Sequence, residues 1–120
     1  MKTLKFKGII ALVIAVLIST ATFAQTTSNL LTKGTFKVSG NCDMCKKRIE
    51  TAALTTKGVK TATWDDATQT VTVTYKSDKT SEQVIGQNIA KAGYDNDHAT
   101  AESGAYNKLP ACCKYTRDKK

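Results

Sequence analysis

Four cysteines and one histidine are the residues of this 120-residue chain best equipped for chemistry. Cys42 and Cys45 sit in the run Ser39-Gly40-Asn41-Cys42-Asp43-Met44-Cys45, and Cys112 and Cys113 are adjacent near the C-terminus. The thiolate, not the thiol, is both the nucleophile and the metal ligand. Two thiolates held side by side make a soft, low-coordinate site. Such a site prefers Cu(I) and other thiophilic ions over Mg2+ or Ca2+. Tetrahedral zinc would need two more protein ligands. The same spacing also suits a thiol–disulfide exchange pair, or a structural disulfide that staples a turn. The lone histidine, His98, excludes a histidine-rich centre and argues against a Ser-His-Asp hydrolase.

The flanking sequence states how the Cys42/Cys45 pair must be held. Thr35-Phe36-Lys37-Val38 alternates and predicts a strand with Phe36 and Val38 buried. Ser39-Gly40-Asn41 is a turn. From Asp43 to Thr56 the pattern is helical, with Ile49, Ala52, Ala53 and Thr56 on one face. Cys42 then lies on the turn and Cys45 in the first helical turn. Unpaired N–H groups and the positive end of the helix dipole gather there. Lys46, Lys47 and Arg48 add positive charge, and both effects favour thiolate. A thioredoxin-like motif also follows a strand and opens a helix. That fold, however, often has an aromatic before the first cysteine and a later cis-proline, whereas here Asn41 precedes Cys42 and Pro110 is the single proline.

The remaining elements complete a small α+β pattern. Gly58 suits a left-handed helix cap. Val59 to Trp64 and Thr70 to Tyr75 read as two strands, the latter alternating Val71, Val73 and Tyr75 with threonines. Asp65-Asp66-Ala67-Thr68 is the hairpin turn between them. Thr80-Ser81-Glu82-Gln83 predicts a capping box with Thr80 as N-cap. The helix it starts runs to about Ala92, buries Val84 or Ile85 with Ile89 and Ala92, and ends at Gly93. His98 to Ala101 is the expected last strand. The order β-α-β-β-α-β predicts a ferredoxin-like sandwich, a four-stranded antiparallel sheet with two helices on one face.

The first residues belong to a different category. Lys2, Lys5 and Lys7 precede an eleven-residue small or apolar run, Gly8 to Ile18, and small residues at Thr22 and Ala24. This is the pattern of a secretory signal peptide. The run is short for a membrane span, which wants about 20 apolar residues. Cleavage after Ala24 would remove three lysines, lowering the net charge from +8 to +5 over the 96 residues that remain. The expected organisation is a signal peptide over 1–24, a flexible leader over 25–33, a domain over 34–102 and a Cys-Cys tail over 103–120. Export implies a periplasmic or secreted location, an oxidising one, where thiols need a reason to stay free. The modest, dispersed charge does not suit nucleic acid.

Taken together, Ser39 to Cys45, the helix after it, Gly58-Val59 and Ala92-Gly93-Tyr94 resemble the heavy-metal-associated domain family over about Thr35 to Ala101. That family includes copper chaperones, domains of copper-transporting ATPases and the periplasmic mercuric-ion-binding protein. The resemblance implies that Cys42 and Cys45 bind one soft ion, Cu(I) first, with Hg(II) or Zn(II) as alternatives. It implies release by thiolate exchange to a membrane metal transporter or another metal-binding domain. It also implies a monomer that is a carrier rather than an enzyme, with no stable membrane insertion after signal cleavage. The rival reading is a thiol–disulfide redox module with Cys42 as nucleophile and Cys45 as resolver.

Two departures from the family pattern are visible. The family usually places a methionine two residues before the first cysteine, tucked into the core, where this chain has Gly40, which implies a more mobile loop. Met44 lies between the cysteines instead, and Tyr94 falls in the loop that lies near the metal in the family. Cys112 and Cys113 lie outside the pattern. They are additional candidate metal ligands, a second docking site, a redox guard, or one half of a structural disulfide. The ten residues from Glu102 to Ala111 span up to about 33 Å when extended, so reach does not forbid a shared site. His98 and Asp95 or Asp97 are further candidate ligands.

Overall fold

The computed structural model describes residues 31–117. The expected signal peptide and most of the expected leader lie outside these residues. Strand β1 spans Leu31–Lys37, helix α1 Asp43–Leu54, strand β2 Val59–Asp65, strand β3 Thr70–Lys76 and helix α2 Glu82–Lys91. A five-residue helix α3, Ser103–Asn107, and a 3-10 turn, Ala111–Cys113, follow. β1 begins at Leu31, so Leu31 to Lys33 belong to the sheet rather than to a leader. Leu31 and Lys33 are exposed and Thr32 half-buried, which is why apolar alternation did not mark them.

The sheet order is β1-β3-β2, fully antiparallel, with Leu31 opposite Lys76 and Lys37 opposite Thr70. β3 is the central strand, and its period of two is expressed directly. Val71, Val73 and Tyr75 are buried while the threonines between them are half-buried. Phe36, Trp64, Ile49, Ala53, Ile85 and Ile89 join them in one core, so both long helices cover the same face of the sheet. Gly58 has φ of +100°, the left-handed conformation that lets the chain turn from α1 into β2.

The expected fourth strand is reduced to two isolated bridges, Val38 with Asn96 and Asn96 with Ala99. The three-stranded sheet is therefore the observed one among the described residues. The segment around Asn96 still flanks the free edge of β1. Ser39 N donates to Asp95 O at 2.9 Å and Asp97 N to Lys37 O at 3.1 Å. Further pairing is prevented by Asn96 itself. Its Oδ1 accepts from both His98 N and Ala99 N, at 3.0 and 3.1 Å, and this local turn competes with a ladder.

The cap of α2 is also displaced by one residue. Ser81, extended at φ −142°, is the N-cap, and its Oγ accepts from Val84 N at 3.3 Å. Thr80 Oγ1 is buried without a partner. Of the two candidates on the inner face of α2, Ile85 is buried and Val84 is 42% exposed.

Candidate metal centre

The loop between β1 and α1 is held from three sides. Val38 N donates to Gln69 O at 2.8 Å, and Gly40 N donates to Gln69 Oε1 at 2.9 Å. Trp64 Nε1 donates to Val38 O at 3.0 Å. A side chain at Gly40 would start 2.8 Å from the Trp64 ring. The indole thus fills the space beside the loop, and the loop is packed, not loosened, by its glycine. Gln69 is a positioning residue that the sequence pattern did not reveal. Its φ of +56° puts a non-glycine residue in the left-handed region, the local cost of aiming the side chain at the loop.

Cys42 is the N-cap residue of α1, and Cys45 lies inside its first turn, fully buried. Their sulfurs are 3.4 Å apart. The Cys45 thiol also faces Asn41 Oδ1 at 3.4 Å. The Cys45 backbone N–H, presented at the helix start, is the main influence lowering the Cys42 thiol below its ordinary range. Burial opposes this, and the neighbouring Cys45 and Cys113 thiols add to the lowering. Lys46 is not free to act on the pair. Its Nζ is 2.8 Å from Glu50 Oε2 and donates to Trp64 O at 3.1 Å.

The C-terminal segment returns to this loop. Cys113 Sγ lies 3.7 Å from Cys42 Sγ, and Cys112 Sγ lies 4.0 Å from Cys113 Sγ and 3.8 Å from Met44 Sδ. The sulfurs of Cys42, Cys112 and Cys113 all lie within 4.8 Å of one another. A tight 3-10 turn separates the fates of the neighbouring residues: Cys113 is fully buried and Cys112 exposed. Burial pushes the Cys113 thiol up to about 12, and the Cys45 and Cys42 thiols beside it push in the same direction. Of these two sulfurs, Cys42 is the more readily ionised and Cys113 the less.

Tyr94 closes the inner side. Its hydroxyl is buried and has no hydrogen-bond partner. Burial raises its pKa well above the phenol range, and Cys113 and Cys45 are the side chains beside it. An orphaned buried donor is costly. A thiolate at Cys45 or Cys113 would give it an acceptor, so the donor set fits a negatively charged, sulfur-ligated centre.

The other proposed ligands are engaged elsewhere. Asp95 is paired with Arg117, whose Nε and Nη2 donate to its two oxygens at 2.7 and 2.8 Å. Asp97 Oδ2 accepts from Lys37 N at 2.9 Å. His98 stacks edge-on against Phe36 and lies 3.4 Å from Glu82 Oε2, at the start of α2. The four thiols, with Met44, are what the fold brings together.

Comparison with known proteins agrees with this geometry. The sequence model described as the heavy-metal-associated domain matches residues 35–95. A candidate copper-ion-binding protein from Bacillus anthracis aligns with a TM-score of 0.54 and 31% identity, over 58% of this chain and all of that one. A structure described as the CopZ metallochaperone aligns at 0.52 and 27%, over 54% and 98% of the two chains. The N-terminal domain of a candidate copper-translocating P-type ATPase from Bacillus subtilis, solved in its Cu(I)-loaded state, aligns at 0.53 and 31%, over 56% and 85%. No curated protein sequence matches the chain.

Proposed function

The chain belongs to the heavy-metal-associated domain family, and we propose that it is an exported carrier of a soft metal ion, Cu(I) first among them. In this reading Cys42 and Cys45 capture the ion and release it by thiolate exchange. The supporting observation is the pair itself, two sulfurs 3.4 Å apart at the start of α1, with Cys45 beside a buried tyrosine hydroxyl that lacks an acceptor. The copper named for two of the similar solved structures supports the choice of ion. Thiolate softness supports it on chemical grounds.

Uptake begins at Cys42, whose thiol is held below its ordinary range. Cys45, in the first turn of the helix, supplies the second ligand. Release reverses the order: a partner thiolate attacks the ion, a mixed-ligand intermediate forms, and the pair lets go one sulfur at a time. No electron moves in this exchange, so the carrier needs its cysteines reduced. Its partner would be a membrane metal transporter or another metal-binding domain, met by a monomer. The basic start of the chain would direct export and be removed after Ala24.

An anaerobic Cu(I) titration of the reduced chain against a competing chelator tests the reading. Tight one-to-one binding that disappears in Cys42→Ser is the expected result. Affinity no better than that of a free dithiol would overturn it, and disulfide reductase activity would move the assignment to a redox module.

A further inference from the structure

We propose that Cys113 is the third sulfur ligand of the same ion, so that the centre is a three-coordinate trithiolate rather than the two-coordinate site that a C-x-x-C pair makes alone. This rests on the metal-carrier reading above, and it follows from how the C-terminal segment is built.

The segment is a strap fastened on both sides of Cys113. Before it, Leu109 is buried against Gly93. After it, the Tyr115 hydroxyl donates to Gly93 O and accepts from Asp95 N, both at 2.8 Å. Tyr106 donates its hydroxyl proton to Tyr115 O at 2.6 Å. Arg117 completes the closure with its two bonds to Asp95 and a third to Ala101 O at 2.6 Å. Such anchoring fixes the position of one side chain, and that side chain is a fully buried thiol 3.7 Å from Cys42.

Spacing separates the two coordination numbers. A metal–thiolate bond of about 2.3 Å puts sulfurs about 4.6 Å apart in a linear pair and about 4.0 Å apart in a trigonal set. The observed 3.4 and 3.7 Å are contacts between thiols, shorter than either spacing, so the sulfurs must spread to take an ion, and by less for three ligands than for two. Tyr94 gives an independent sign. Its partnerless hydroxyl sits beside Cys45 and Cys113, where a centre of three thiolates and one Cu(I) would carry two negative charges. On binding, each thiol that is still protonated gives its proton to solvent and forms one sulfur–metal bond; nothing is oxidised or reduced. The Cys112 sulfur lies within 4.8 Å of those of Cys42 and Cys113, but the residue is exposed and faces Met44 Sδ at 3.8 Å, and it stays outside the set.

The test is X-ray absorption at the copper edge on the reduced chain loaded with one equivalent of Cu(I), with a chelator competition beside it. The expected result is three sulfur neighbours in the wild-type chain and in Cys112→Ser, and two in Cys113→Ser with at least a tenfold loss of affinity. Two sulfurs in the wild-type chain overturn the proposal without any variant. So do four, or a count that falls in Cys112→Ser. Far-ultraviolet circular dichroism of Cys113→Ser shows that the variant is folded. A wild-type chain that binds Cu(I) through two sulfurs leaves the carrier reading standing and removes only Cys113. A chain that binds no copper removes the carrier reading itself.

Discussion

The sandwich and the strap reach the same cysteine cluster by different physics. The sandwich holds Cys42 and Cys45 through burial: β3 at its centre, two helices on one face and Trp64 against the loop. The strap holds Cys113 through directed polar bonds and stacked rings. Tyr115 lies parallel to Tyr94 with centroids 5.9 Å apart and edge-on to Tyr106 at 5.1 Å. Burial is non-directional and scales with area, whereas hydrogen bonds are directional and individually modest. The first half should therefore set whether the protein folds, and the second whether one thiol is in place.

The largest effect should come from the sandwich. Trp64 is 1% exposed, and its ring contacts both the core and Gly40. Trp64→Ala should cost about 3–5 kcal/mol, as large-to-small changes of buried aromatics do. Urea unfolding followed by circular dichroism measures it. A loss below 1 kcal/mol would show that the strap carries stability assigned here to the sandwich. Gly40→Met, which restores the residue the family usually has, should also destabilise, by about 3 kcal/mol, because the side chain would start inside the indole ring's space.

The same contrast explains what could be read in the sequence. The inward positions of β3 and α1 follow from periods of two and 3.6, because neighbours along the chain share one environment. Thus Val71, Val73, Ile49 and Ala53 were legible, and so were Cys42 and Cys45 at the helix start. The fourth strand was not, because Asn96 spends its side chain on a local turn that alternation cannot register. The cap of α2 fell between two adjacent hydroxyl residues, and only the extended backbone at Ser81 decides it. The strap has no period at all. Tyr106, Leu109, Cys113 and Tyr115 meet partners many residues away, and the choice of Cys113 over Cys112 is set by the phase of one 3-10 turn after Pro110. Gln69 was invisible for the same reason, since a hairpin residue gives no sign that its amide serves a loop 29 positions earlier.

Weakening the strap should give an intermediate effect with a different signature. Asp95→Asn removes a charge-assisted pair to Arg117 and should cost about 2 kcal/mol. The sheet and helices should remain, while Cys113 becomes accessible to alkylation. Burial opposes ionisation of Asp95, but the Arg117 guanidinium and the Ala101 N–H outweigh it, and the carboxyl sits below its ordinary range. A depressed carboxylate stabilises the fold above its unfolded value, about 3.9, and that contribution is lost as pH falls through the folded value. Wild type and Asp95→Asn should therefore differ most at neutral pH and converge in strong acid. Alkylation of Cys113 that is equally slow in both proteins at pH 7 would break the picture of a strap held by polar bonds.

The smallest effect should come from the end of the sandwich farthest from the cysteines. The register puts Lys37, from which the metal loop departs, opposite Thr70, while Lys76, which leads to α2, lies at the other end of β3. Ser81 caps α2 there, with one 3.3 Å bond to Val84 N on the exposed side. A long, solvated cap bond belongs at the low end of the range, so Ser81→Ala should cost about 0.5 kcal/mol. That corresponds to a fall in Tm of about 2–4 °C for a domain of this size. Copper affinity should not change, because nothing that holds the four thiols passes through α2's first turn. Differential scanning calorimetry and the chelator competition read the two quantities separately. A loss of affinity in Ser81→Ala would mean that the thiols respond to the stability of the sandwich as a whole, and the division between a half that folds and a half that places one sulfur would have to be given up.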